Sequence, residues 1–361
     1  VCSGPMIIWH LRGKPGAPMF ELICLAFGMA YAVPVFLVEN SIYTYNLFRY
    51  LDWGYTVTAI QYSLLGVASM LIGYYLFPRL PLVSWLPRLE LPLGHRPERK
   101  FMWVVFGLAG LFRGAERMLG ASWFMGTMAA FSILISHLLN VGLALLAYRI
   151  YRPDSVSRPS DRLLLGSIVV ASVLVNLGGG MLETVFLPLL VIFIVRWHAR
   201  GRFPVGWFAA GFMALFFLNS AKLEYRAEVW TGSRNYTLVE QVQIWVDKGE
   251  NVLDAIRSPD AARMLFNRTI MRFDLVHSLA HVVESTPAYV PHYEGQSYEY
   301  LLYGWIPRVL WPNKPPAHGA NHMFALDYGL LLDAQIETTT VGIGFLAEAY
   351  ANFGLLGVGG I

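Results

Sequence analysis

The sequence predicts an all-α polytopic membrane protein, on three observations. Of its 361 residues, 56% are hydrophobic and only 14% charged, where soluble domains carry roughly 25% charged residues. Mean hydropathy is +0.48. Apolar stretches of about the 20 residues that a bilayer-crossing helix needs recur along the chain. So much apolar surface requires a solvent other than water, which excludes a soluble globular enzyme and equally excludes disorder. The net charge of +3 is too small for the length to point to nucleic acid. Cys2 and Cys24 are the only cysteines, too few for a disulfide framework.

Hydropathy places about eight transmembrane helices, at residues 19–38, 57–77, 101–120, 122–148, 163–177, 181–195 and 205–220, with an eighth from about residue 341 to the end. The first serves as its own insertion signal, and no cleavable leader is evident. The fifth and sixth are short and separated only by Gly178, Gly179 and Gly180, which reads either as a tight hairpin or as a broken, re-entrant pair. The chain opens on Val1 and stops at Ile361 inside an apolar run, so a fragment is expected. Orientation follows from the loops rich in Lys and Arg, which stay cytoplasmic. Arg12 and Lys14 precede the first span; Arg79, Arg88, Arg96, Arg99 and Lys100 lie in the second connection; Arg149, Arg152, Arg158 and Arg162 in the fourth; Arg196, Arg200 and Arg202 in the sixth. These are alternate loops, so the expected layout is helices 1–7 over residues 1–220, a large extracytoplasmic loop over 221–340, and the start of a final membrane region over 341–361. The loop is long enough to be functional in its own right. Within it, 237–249 and 261–283 have amphipathic helical patterns, and prolines at 287, 291, 307, 312, 315 and 316 enforce extended backbone.

Four groups of residues carry candidate chemistry. Arg268 and Arg272 stand at i and i+4; two guanidiniums on one helix face repel unless an anion bridges them, and their planar forks suit phosphate oxygens. Pairing with Asp260, Asp274 or solvent is the plainer account. In residues 300–315, Arg308 and Lys314 are set among prolines and aromatics, including Trp305 and Trp311. Cations fixed in this way lose less entropy on binding a diphosphate, while anchoring at the lipid headgroups explains the same composition. Glu348 opens the last apolar stretch, with Tyr350 and Asn352 following. An acid inside a membrane helix is costly and marks a functional site unless an arginine neutralises it; a helix starting near 341 puts it roughly 10 Å below the outer surface. His277 and His281 are i, i+4 with Glu284 following, a zinc-compatible spacing that lacks the glutamate of the metalloprotease helix; His281 as a base, or as a solvated side chain, is favoured over a metal cage. Arg113, Glu116 and Arg117 read as a structural ion-pair group, and Glu183 as ambiguous. No P-loop, dinucleotide fingerprint, nucleophile elbow or aspartate-rich metal pair is present.

Arg272-Phe-Asp, Gly295-x-Ser-Tyr298, Ile306-Pro-Arg-x-Leu-Trp-Pro-x-Lys-Pro315 and Glu348-Ala-Tyr-Ala-Asn-Phe-Gly354, together with many helices and one large loop, resemble the O-antigen polymerase (Wzy-type) family of oligosaccharide repeat-unit polymerases. The resemblance covers about residues 263–357 and rests on topology and scattered positions. It implies a bacterial inner-membrane glycosyltransferase, independent of metal, nucleotide or other cofactor. Such an enzyme moves a growing glycan from undecaprenyl diphosphate onto a second lipid-linked repeat unit, in the lipid bilayer and with room for a chain-length regulator protein as partner. Mapped here, Arg268, Arg272, Arg308 and Lys314 would hold the diphosphate, Tyr298 and Asn352 the glycan, and Glu348 or His281 would act as base, with Arg272 stabilising the leaving group. An O-antigen ligase has similar architecture and donor. A flippase for lipid-linked sugars is the rival from another class, and its mark would be broken or charged helices at mid-membrane.

Overall fold

The computed structural model describes residues 2–13, 16–40, 51–80, 99–119, 129–154, 157–230, 236–304, 306, 310–316, 318–336 and 339–361. Every regular element among them is helical. Five helices are long and apolar enough to cross a membrane: Met19–Phe36, Trp53–Leu76, Pro159–Gly178, Leu182–Arg200 and Val205–Val229. The first contains α2 (Met19–Ala32) and runs on into a 3-10 segment, and a short α1 (Gly4–Leu11) precedes it; α3 is Trp53–Leu76. Two further helices, α4 (Arg99–Leu119) and α5 (Ala129–Tyr151), fall on expected spans, although the apolar part of α4 is the shorter Lys100–Phe112.

One half of the molecule is a bundle of α4, α5, α6 (Pro159–Gly178) and α7 (Leu182–Arg200), with α5 at its centre. Its core is aliphatic, built from Leu143, Leu146 and Ala147 of α5 against Met102, Leu165 and Ile192. The three-glycine connection is a tight hairpin: α6 and α7 have 20 and 19 residues and pack side by side. The carbonyls that a helix end leaves without partners are met from outside the hairpin. Trp245 Nε1 donates to Leu177 O (3.0 Å), and the Tyr225 hydroxyl donates to Gly178 O (2.9 Å). Those side chains come from α8 (Val205–Val229) and α9 (Leu238–Ala255). α8 runs to residue 229, so the expected boundary at 220 falls inside a helix. α9 starts with a capping box in which Thr237 and Glu240 serve each other's amides.

The other half gathers α2, α3, α11 (Val276–Ser285), α13 (Gly319–Asp327) and α14 (Phe345–Gly359) around one core. The amphipathic pattern of 261–283 predicts one helix; the chain forms two. α10 (Pro259–Ile270) gives way to a 3-10 turn, Met271–Phe273, because Asp274 Oδ1 accepts the His277 amide at 3.2 Å and starts α11 afresh. Eight of the ten residues of α11 are buried, wedged against α2, α3 and α14. This part of the expected loop is therefore folded into the helix bundle.

α14 meets α3 half-way along: Leu346 packs on Gly66, and Tyr350 stacks on Tyr62 at 5.4 Å. Gly66 is roughly 20 Å from the start of α3 at 1.5 Å per residue. The segment leading into α14 is held to α11 by Ser278 Oγ donating to Ile343 O (2.9 Å). The basic loops share one face. Arg149 binds Asp161 (3.2 Å), Arg196 lies over Tyr151 and Trp207, and His198 accepts the Ala17 amide. The α6–α7 turn and the end of α8 lie at the opposite face.

Candidate functional site

Glu348 stands one turn into α14, and what surrounds it comes from residues 292–298. α14 is broken: Phe353 (φ −135°) and Gly354 (φ 59°) leave helical geometry, freeing the carbonyls before them. Those carbonyls are taken up by main chain, the Tyr293 amide donating to Ala351 O (3.0 Å) and the Glu294 amide to Asn352 O (3.2 Å). Asn352, only 1% exposed, is fully engaged. Its Oδ1 accepts the Gly295 amide (2.9 Å), and its Nδ2 donates to Ser297 Oγ and to Glu348 O, both at 2.8 Å. Ser297 in turn donates to Glu348 Oε1 at 2.7 Å. Gly295 has φ +98°, and a Cβ there would stand 3.3 Å from the Phe353 ring; both facts require glycine. Thus Gly295-x-Ser297-Tyr298 and Glu348-x3-Asn352, flagged separately in the sequence, are one hydrogen-bonded unit.

The unit keeps two polar groups in reserve. Among the described residues, neither Glu348 Oε2 nor the Tyr298 hydroxyl has a hydrogen-bond partner. Burial, and then the charge of Glu348, raise the Tyr298 phenol above its ordinary value, so it remains a donor. A carboxylate held by one oxygen, with the other available, is suited to accept a proton from a hydroxyl.

A second cluster lies at the end of α8. Lys222 and Arg226 are i, i+4 on that helix, and Arg272 reaches them from the turn after α10. The charges of Arg226 and Arg272 act on Lys222, and that of Arg272 acts on Arg226, with no carboxylate among the charges acting on either. Arg226 donates from Nε (3.2 Å) and Nη2 (3.0 Å) to Gly180 O and lies 4.1 Å over the Trp230 ring. Lys222 and Arg272 have no ion pair or hydrogen bond among the described residues. Asp274, one expected partner for Arg272, is bound to His277 instead, Oδ2 to Nδ1 at 2.8 Å. Lys222 and Arg226 escape a reading that treats residues past 220 as loop. The signal was two cations four apart in a helix that does not stop.

The remaining expected residues divide as follows. Lys314 is buried, and its ammonium donates to Tyr303 O (3.2 Å), Gly304 O (3.4 Å) and Ile306 O. These carbonyls terminate α12 (Gln296–Gly304). This corrects the diphosphate role: its donors satisfy a helix end, where cations are also favoured by the dipole. His281 donates from Nε2 to Tyr328 O (2.9 Å), with Nδ1 3.8 Å from Glu284; it is occupied apart from the Glu348 unit. Arg272 lies on the 3-10 turn and not on α10, so the single helix face expected for Arg268 and Arg272 is not formed. Arg308 and the side chains of Arg268, Arg113, Glu116 and Arg117 lie outside the described residues.

Fold and site define, among the described residues, an all-helical chain with five helices fit to cross a membrane, an acid at a helix break, and a cation cluster that no carboxylate neutralises. Residues 110–358 match the family described as a domain of unknown function, DUF8712, and the chain belongs to that family. No curated protein and no solved structure matches the chain.

Proposed function

We propose that this protein is a multi-pass glycosyltransferase of a bacterial inner membrane that joins oligosaccharide repeat units carried on undecaprenyl diphosphate, working at the extracytoplasmic face. The observation that carries the reading is Glu348, an acid inside an apolar helix whose one oxygen is fixed by Ser297 while the other has no hydrogen-bond partner among the described residues and whose charge acts on the Tyr298 phenol. An acceptor sugar hydroxyl gives its proton to Glu348 as its oxygen attacks the anomeric carbon of the donor. The bond from that carbon to the diphosphate breaks, and the leaving diphosphate keeps the electron pair. Arg272, Lys222 and Arg226 supply positive charge for that anion without the mutual neutralisation that ion pairing would bring. The face holding Arg149, Arg196 and Arg200 is then cytoplasmic, which puts the end of α8 outside.

The break in α14 favours a second reading, transport of a lipid-linked sugar, because discontinuous helices form the sites of many transporters. The two separate in detergent, where transport has no meaning. Purified protein supplied with lipid-linked repeat units should lengthen them, and Glu348→Gln should abolish lengthening while the protein remains folded. No lengthening by the wild type, with sugar movement in sealed vesicles, would transfer the assignment to transport. Transfer only onto lipid A core would make it a ligase.

A further inference from the structure

Beside Glu348 the helix break presents a structure that proton transfer does not require. The Phe353 ring is stacked with Tyr298, centroids 6.1 Å apart and planes 28° from parallel, yet Phe353 remains 47% exposed. It keeps this position at the cost of helical geometry, since Phe353 is one of the two residues that leave it. A ring serving only to fill the core would be covered, as Phe324 is at 1%. The stacked Tyr298 carries a hydroxyl, a donor, and feels the charge of Glu348, whose Oε2 is an acceptor; neither atom has a hydrogen-bond partner among the described residues.

An apolar face bordered by one acceptor and one protonated donor is the complement of a pyranose ring. The sugar's axial C–H bonds make an apolar patch that packs on an aromatic face, and its rim hydroxyls donate to carboxylate and accept from phenol. We infer that Phe353 and Tyr298, with Glu348, form a binding site for a hexopyranose unit, in which Phe353 is the stacking platform. This deepens the proposed function and rests on it for the identity of the attached lipid; the sugar site itself is tested separately.

The test is ligand-observed saturation-transfer NMR on the full chain in lipid nanodiscs, with the methyl pyranosides of glucose, galactose, mannose and N-acetylglucosamine as probes and tetraethylene glycol as the non-sugar control. The expected result is transfer to the ring C–H protons of at least one pyranoside, reduced at least fivefold in Phe353→Ala and retained in Phe353→Trp. Because Phe353 is half exposed, the alanine variant should keep the wild-type unfolding temperature to within a few degrees; should it not, the Trp variant together with Tyr298→Phe, which deletes only the donor and should lower transfer, decides. Transfer no greater than that of the glycol for every probe, or transfer unchanged in Phe353→Ala, overturns the inference. A wild type that binds pyranoside but lengthens no glycan keeps this site and loses the transferase reading. Normal lengthening together with unchanged transfer in Phe353→Ala does the reverse.

Discussion

The α14 break and the cation cluster at the end of α8 are built on opposite principles. Around Glu348 every buried polar atom of Asn352 is satisfied, and much of the frame is main chain; the geometry is set before any ligand arrives. Lys222, Arg226 and Arg272 push one another apart, and among the described residues only Arg226 has a protein hydrogen bond. The first region is preorganised; the second leaves its repulsion unrelieved by carboxylates among the described residues. Preorganised groups serve the chemical step, whereas a strained assembly of like charges serves affinity.

The contrast can be broken at several points. The largest effect should come from Glu348→Gln, a loss of glycan lengthening of a hundredfold or more with unchanged amounts of protein in the membrane; activity within tenfold of wild type would remove Glu348 from the chemistry. Next, Asn352→Ala deletes three hydrogen bonds in a buried place and should cost about 2–4 kcal/mol of stability, read as an earlier unfolding transition. An unchanged transition would mean that the frame is not what holds the break. Arg272→Ala should shorten the polymer chains and weaken binding of inorganic pyrophosphate about tenfold while leaving ligand-free stability nearly untouched, since no ion pair is lost. Normal chain lengths would exclude the role. The smallest effect sharpens the contrast most: Lys222→Gln should leave the ligand-free protein as stable or slightly more so, by a few tenths of a kcal/mol, because like-charge repulsion at i, i+4 is relieved. The same variant should gain less than wild type on adding pyrophosphate, measured by the thermal shift. Equal gains would show that Lys222 takes no part.

Much of the helical framework was legible because a bilayer dictates length and hydropathy together, and α6, α7 and the start of α8 announce themselves by composition. The short helices were not. α11 is ten residues long with two histidines and two serines, and it is buried only because α2, α3 and α14 cover it; a one-dimensional pattern records no such cover. For the site, Glu348, Asn352 and Tyr298 stand out by residue type, but their union through Ser297 joins residues 51 and 55 apart, a distance that only tertiary packing closes. Lys314 failed for the converse reason: a cation among aromatics and prolines looks like a ligand-binding group, and its three carbonyl acceptors are invisible until α12 is seen to end beside it.

The pairing of residues 293 and 294 with 351 and 352 decides which substitutions the break in α14 can absorb. Amide and carbonyl groups are common to all residues save proline at the donor, so these main-chain bonds constrain the side chains at 294 and 351 little, whereas Asn352 is fixed by its own bonds to Gly295, Ser297 and Glu348 and Tyr293 by its bond to Asp327. Exchanging the ring at 353 or the phenol at 298 leaves those main-chain bonds in place, so the groups beside Glu348 can change while the architecture that presents them stays.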